Sequence, residues 1–179
     1  MIIEDGKGNG RKAQVNLENE LVTRAIVESE IEHASASGNA YVWDSTEKDI
    51  DAGDTMLFVQ NTSETPLILD VATINGSNVI CTWTMHTGAD ITTPSGTTVS
   101  GVNMNPKFRS VPANAIGYAD ETAVADGDII DRVKTAISGT KYVELGGFIL
   151  ERNHYIQFTQ VTESTSGSVI LRAHYANPS

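Results

Sequence analysis

The chain has 179 residues, 40% of them apolar and 20% charged, with a formal net charge of −11 and a pI near 4.6. That length fits one domain with an appendage, the composition is enough for a buried core, and the acidic balance opposes nucleic-acid binding, which depends on Lys and Arg neutralising phosphates. The single cysteine, Cys81, excludes an intrachain disulfide and a cysteine-based zinc cluster.

The first residues, MIIEDGKGNG, lack the charged and apolar regions of a signal peptide, and no run reaches the roughly 18 apolar residues of a membrane span, so a soluble, cytosolically made protein is expected. Residues 5–12 form a glycine-rich basic lead with Lys7, Arg11 and Lys12. It is no phosphate loop, because no strand precedes it and no Gly-Lys-Ser/Thr follows. Beyond it, Ala13, Val15 and Leu17, then Leu21, Thr23, Ala25 and Val27, alternate with polar residues and predict two short extended segments. A helix over residues 17–31 competes, since Leu17, Leu21, Ala25 and Glu28 share a helical face. Residues 29–37 predict one or two helical turns, with Ser29 as N-cap, Glu32 closing a capping box and Gly38 ending the helix. Residues 1–38 therefore read as an extended arm with no core of its own, and residues 39–179 as the folded body.

From residue 40 onward, β-like runs alternate with turn-forming clusters, which predicts an all-β sandwich or barrel of about eight strands. The runs are residues 40–43, 55–60 (TMLFVQ), 67–74 (LILDVATI), 79–86 (VICTWTMH), 128–136, 141–150, 155–161 and 169–175, with a shorter candidate at 97–102. Residues 44–54 read as a polar connection. Asn75-Gly76 predicts a type I′ hairpin, because both residues tolerate positive φ. Residues 155–161 and 169–175 read as a second hairpin, placed centrally because both of its faces carry large side chains. Residues 87–127, rich in Thr, Ser, Gly, Asn and Pro, predict a loop-rich side, the kind of region that usually carries function or is pinned by a partner. Asn61-Thr62-Ser63 and Asn75-Gly76-Ser77 match glycosylation acceptors and read here as turns.

No catalytic constellation is legible. His33, His86, His154 and His174 are widely spaced, and His86, at a strand end, is the best placed of them for chemistry. The acidic runs Asp44, Glu47, Asp49, Asp51, Asp54 and Asp120, Glu121, Asp126, Asp128, Asp131 invite calcium, yet no Gly stands sixth and no Glu twelfth from Asp49. No Gly-x-Ser-x-Gly elbow occurs. Cys81 lies in a strand-like apolar run and reads as a small core residue. Trp43, Trp83 and the five tyrosines either line a sugar groove or, more simply, fill the core. The expectation is no catalytic residue, no metal and no cofactor.

The stretch DGKGNGRKAQVNLENELVTRAIVESEIEHAS, followed by GNAYVW, resembles the N-terminal portion of tailed-phage capsid decoration, or cement, proteins. The matching positions are Gly8, Gly10, Lys12, Ala13, Val15, Asn19, Leu21, Val27, Glu28, Glu30, His33, Ala34 and Gly38, over about residues 5–43, with a looser echo in GVNMNP, RNHYIQF and SVILRAHY. The resemblance implies an extended arm on a jelly-roll-like sandwich, commonly trimeric, that binds the outer surface of the major capsid protein lattice. It implies a virion location after synthesis in the host cytoplasm, with neither nucleic acid nor membrane as partner. Lys7, Arg11 and Lys12 would then supply charge-assisted contacts, while Leu21, Val22 and Ile26 would bury apolar area. The alternatives are a receptor- or glycan-binding module of a phage fibre or tail that uses residues 87–127, and, more remotely, a metal-dependent hydrolase built on His86 and the acidic runs.

Overall fold

The fold was taken from a computed structural model that describes residues 3–4, 12–15, 21–22, 29–51, 53–76, 79–89, 96–120, 127–161 and 165–176. Near the N-terminus β1 (Ile3–Glu4), β2 (Lys12–Val15) and β3 (Leu21–Val22) pair antiparallel in that order. Residues 13–15 and 21–22 of the predicted extended segments are therefore strands, with Glu4 opposite Lys12 and Val15 opposite Leu21, while residues 16–17 and 23–27 lie outside the described residues.

Helix α1 (Glu30–Ser37) starts and stops where its end signals place it. The Ser29 Oγ accepts a hydrogen bond from the Glu32 backbone N–H at 3.3 Å, and the Ser29 N–H donates to the Glu32 carboxylate at 2.9 Å. That reciprocal bond, chiefly from the Ser29 backbone, holds the Glu32 carboxyl below its ordinary pKa. Gly38, at φ 79°, ends the helix in the left-handed region.

The body is an all-β sandwich of two antiparallel sheets. Its strands are β4 (Ala40–Asp44), β5 (Lys48–Ile50), β6 (Thr55–Asn61), β7 (Leu67–Asn75), β8 (Cys81–Gly88), β9 (Thr97–Thr98), β10 (Val102–Asn103), β11 (Ala115–Ala119), β12 (Asp128–Thr135), β13 (Thr140–Leu150), β14 (Tyr155–Gln160) and β15 (Thr165–Tyr175). One sheet runs β10-β4-β15-β7-β13, with β5 also on β15, and the other runs β12-β8-β14-β6-β11-β9. Eight of these strands nest first with last: β4 pairs β15, β6 pairs β14, β7 pairs β13 and β8 pairs β12. This nesting is the double Greek key of a jelly roll.

Nesting also corrects three sequence expectations. The two predicted hairpins do not form, because β7 and β8 lie in opposite sheets, as do β14 and β15. The nesting instead sends β8 and β15 each to the layer opposite the strand before it. Gly76 is needed for close approach rather than for positive φ: a Cβ there would lie 2.5 Å from the Thr135 hydroxyl, and its N–H donates to the Gly139 carbonyl at 2.9 Å. Asn75 bridges strands, its side-chain amide donating to Ser168 Oγ and its Oδ1 accepting from Thr140 Oγ1. The central placement of β14 and β15 does hold. The third correction concerns the polar connection after β4 and the loop-rich region, which contain β5 and β11, both missed, while the 97–102 candidate splits into β9 and β10 in different sheets.

The core between the sheets contains Trp43, Trp83, Met56, Leu57, Leu67, Leu69, Ile74, Met85, Ile156, Phe158 and Leu171, all fully buried. Each large side chain of this kind contributes about 1.5–3 kcal/mol on burial. Cys81 is among them, and both tryptophans are core residues rather than the walls of a groove. The Trp83 indole N–H donates to Thr135 Oγ1 at 3.1 Å, tying β8 to β12.

Candidate functional site

Of the residues expected to contact a partner, Lys7, Arg11 and Ile26 lie outside the described residues. Lys12, Leu21 and Val22 sit on the β1-β2-β3 ladder, where Lys12 is in register with Glu4 and Leu21 with Val15. The backbone thus gathers three of the six onto one small sheet.

Next along the chain is α1, which packs on β4 and β15 and has Ala34 fully buried. Two asparagines hold its C-terminal end. Asn103 donates to the Gly38 carbonyl at 2.7 Å, and Asn105 donates to the Ser35 carbonyl at 3.1 Å and the Ala36 carbonyl at 3.3 Å, supplying partners for carbonyls that a helix end leaves open. The GVNMNP motif is therefore a clamp on the helix. Asn105 also caps the 3-10 turn Pro106–Phe108, which lays the Phe108 ring against Gly38.

Beneath the helix His174 is buried, its Nδ1 3.0 Å from Asp70 Oδ2 and its Nε2 4.0 Å from Glu30 Oε2. Burial raises the Asp70 carboxyl above its ordinary pKa, against the downward pull of the His174 hydrogen bond and charge. Asp70 and His174 are 104 residues apart, so no local pattern could have joined them.

His86, the best-placed histidine by sequence, is a structural residue. Its ring is buried, with Nε2 2.8 Å from Thr84 Oγ1 and Nδ1 3.2 Å from the Gly127 carbonyl. Among the described residues no group of three or more His, Cys, Asp or Glu could hold a metal ion, and no helix is long and apolar enough to cross a membrane. Asp54, in the first acidic run, has its carboxyl raised by burial first and then by the charges of Asp51 and Asp120. These carboxylates press on one another without converging on a cation.

Among the described residues, several exposed apolar side chains lie on β12, on β13 and in the turn between them, the two strands being end strands of the two sheets. Tyr142 is 67% exposed, Ile137 61%, Ile149 53% and Ile129 47%. β12 pairs only β8 and β13 only β7 among the described residues, so each leaves one ladder edge open. Sequence patterning gave both strands but not their edge position, which depends on the nesting.

Comparison with known proteins finds no matching family model, no matching curated protein and no matching solved structure.

Proposed function

We propose that this chain is a non-enzymatic virion component, a capsid decoration or cement protein that binds and stabilises the outer surface of the major capsid protein lattice. The observation that carries this reading is the small β1-β2-β3 ladder, hydrogen-bonded as a sheet of its own beside the two sheets of the jelly roll, on the residues that resemble decoration proteins. A two- to four-residue-stranded ladder buries little by itself and gains stability by lying on a partner. Lys7, Arg11 and Lys12 would meet acidic groups of the shell, and Leu21, Val22 and Ile26 would bury apolar area against it.

In this reading the copies form a homotrimer. The exposed side chains of β12 and β13, Ile129, Tyr142 and Ile149, would face sister subunits, because contact there would remove their apolar area from water. Three arms engaging a repeating lattice multiply weak contacts into avidity. The protein resides on the virion surface after synthesis in the host cytoplasm and needs no cofactor, nucleic acid or membrane.

The test mixes the purified protein with undecorated shells and images them. Regular density on the outer surface is expected. Removal of residues 1–28 keeps Ser29 and the helix cap, and it should abolish binding while the body melts as before. Shell binding that survives this truncation would refute the arm mechanism, and absence of binding by the full chain would refute the reading itself.

A further inference from the structure

A cavity of about 500 Å³ opens where the C-terminal end of α1, β4, the β6–β7 turn, residues 108–114 and the end of β15 meet. That volume lies within the range of small-molecule sites. Three aromatic rings contribute to its lining, Tyr41, Tyr175 and Phe108, alongside neutral hydrogen-bonding side chains that include Asn39, Asn114 and Thr65. Among the described residues no Asp, Glu, Lys, Arg or His lines it, although the chain as a whole carries a net charge of −11.

The walls are fixed before any ligand arrives. Asn103 and Asn105 clamp the 103–108 segment to the end of α1, and Phe108 rests on Gly38. Tyr41 donates its hydroxyl to the Pro112 carbonyl at 3.4 Å, and its ring meets that of Tyr175 edge-on at 5.8 Å. One polar group is left over. The Tyr175 hydroxyl is buried, in a residue only 7% exposed, and makes no hydrogen bond. The Asn114 backbone approaches it without reaching hydrogen-bond geometry, and burial keeps the phenol protonated, so it remains a donor. An unsatisfied buried hydroxyl costs free energy that a ligand oxygen would recover.

We propose that this cavity is a binding site for a neutral saccharide unit. The lining matches that ligand on three counts. Aromatic rings receive the C–H face of a sugar, amides and hydroxyls satisfy its OH groups, and the lack of ionised side chains disfavours phosphate, carboxylate and metal ligands. Five chain segments border this partly open cavity, which suits a compact ring better than an extended polyproline peptide. The site does not use the residues assigned to shell binding, and it stands whether or not the chain decorates a capsid.

The test is a printed array of neutral and acidic glycans, with a proline-rich peptide spotted beside them, followed by calorimetric titration of the best neutral hit against the full-length chain. Binding to neutral glycans is expected. Tyr175→Phe removes only the unpartnered hydroxyl, so its melting temperature should match the parent while its affinity falls about tenfold, the loss of one buried hydrogen bond. Asn114→Ala, at an exposed position on the rim, should weaken binding without affecting the fold. Absence of neutral-glycan binding, hits confined to acidic glycans or to the peptide, or unchanged affinity in Tyr175→Phe would each overturn the assignment.

Discussion

Two pairs of strands in this sandwich have opposite fates. β6 and β14, adjacent in one sheet, bury every residue on both faces, whereas β12 buries two of its eight residues and β13 two of its eleven. Inward, Leu57, Val59, Ile156 and Phe158 fill the core. The rest of β6 and β14 is buried too: Phe58 packs against Tyr118 at 6.4 Å and Tyr155 at 5.0 Å, and Thr55 bonds Thr159 across the strands. The contrast separates two meanings of an apolar strand. In β6 the apolar run specifies a fold, while in β12 and β13 exposed isoleucines and a tyrosine mark a side that the described residues leave bare.

Core truncation tests the first half of that contrast most severely. Leu57→Ala should cost about 2–5 kcal/mol, because the surroundings of a fully buried leucine relax only partly into the cavity. Urea unfolding followed by Trp fluorescence would read it as a fall in midpoint at constant slope. A cost under about 1 kcal/mol would mean that β6 is not the fully packed strand described here.

The helix junction is the next largest effect. Gly38 has φ 79°, and a Cβ added there would meet the Phe108 ring at 2.6 Å, so Gly38→Ala combines backbone strain with a clash. A loss of about 1–3 kcal/mol is expected in thermal melts. Since Phe108 also walls the saccharide cavity, the same change should weaken ligand binding, which Leu57→Ala should leave intact in the folded fraction.

Asp70 supplies a pH-dependent comparison between the helix-covered sheet and the bare strands. Its carboxyl is raised in the folded state, chiefly by burial, so the folded chain holds that proton more tightly than the unfolded chain does. The stabilisation is complete below the ordinary value of 3.8 and is lost as pH rises through the raised value. Asp70→Asn cannot titrate, so the stability of the parent relative to this variant should decline across that window. Chemical denaturation of both proteins at stepped pH would show it, and a parent that gained stability relative to the variant as pH rose there would contradict the assignment.

What was legible in the sequence divides along the same line as the strands. The capping box at Ser29 and Glu32, the Gly38 stop, the long strand runs and the all-β class all come from residues within a few positions of one another, and all are present. Sheet partners come from contacts across the whole chain, which is why TINGS and the segment after Gln160 read as hairpins although the nesting sends their strands to opposite layers. The aromatic cavity was illegible for the same reason, since Tyr41, Phe108 and Tyr175 are scattered in sequence and Tyr175 shows itself as a site only through its unpartnered hydroxyl. Asp70 and His174 belong with these. For the arm, sequence supplied residue types, and the structure adds the ladder that places Lys12 opposite Glu4.

The smallest effect on stability is also the most informative about the bare side. Tyr142 is 67% exposed on β13, so Tyr142→Ser should change the stability of the dilute monomer by no more than about 0.5 kcal/mol. Both end strands already carry features that oppose indiscriminate edge pairing. Asp128, Asp131, Arg132 and Lys134 charge β12, and the β13 ladder shifts register across Gly146 and Gly147, which both have positive φ. A partner would therefore meet the side-chain faces of these strands rather than extend the sheets. If sister copies cover this side, Tyr142→Ser should shift sedimentation toward the monomer and make the melting temperature less dependent on protein concentration. Unchanged assembly in Tyr142→Ser and in Ile149→Ser would place the trimer contact elsewhere and leave the exposed apolar residues of β12 and β13 as ordinary surface, since single exposed apolar side chains need no partner.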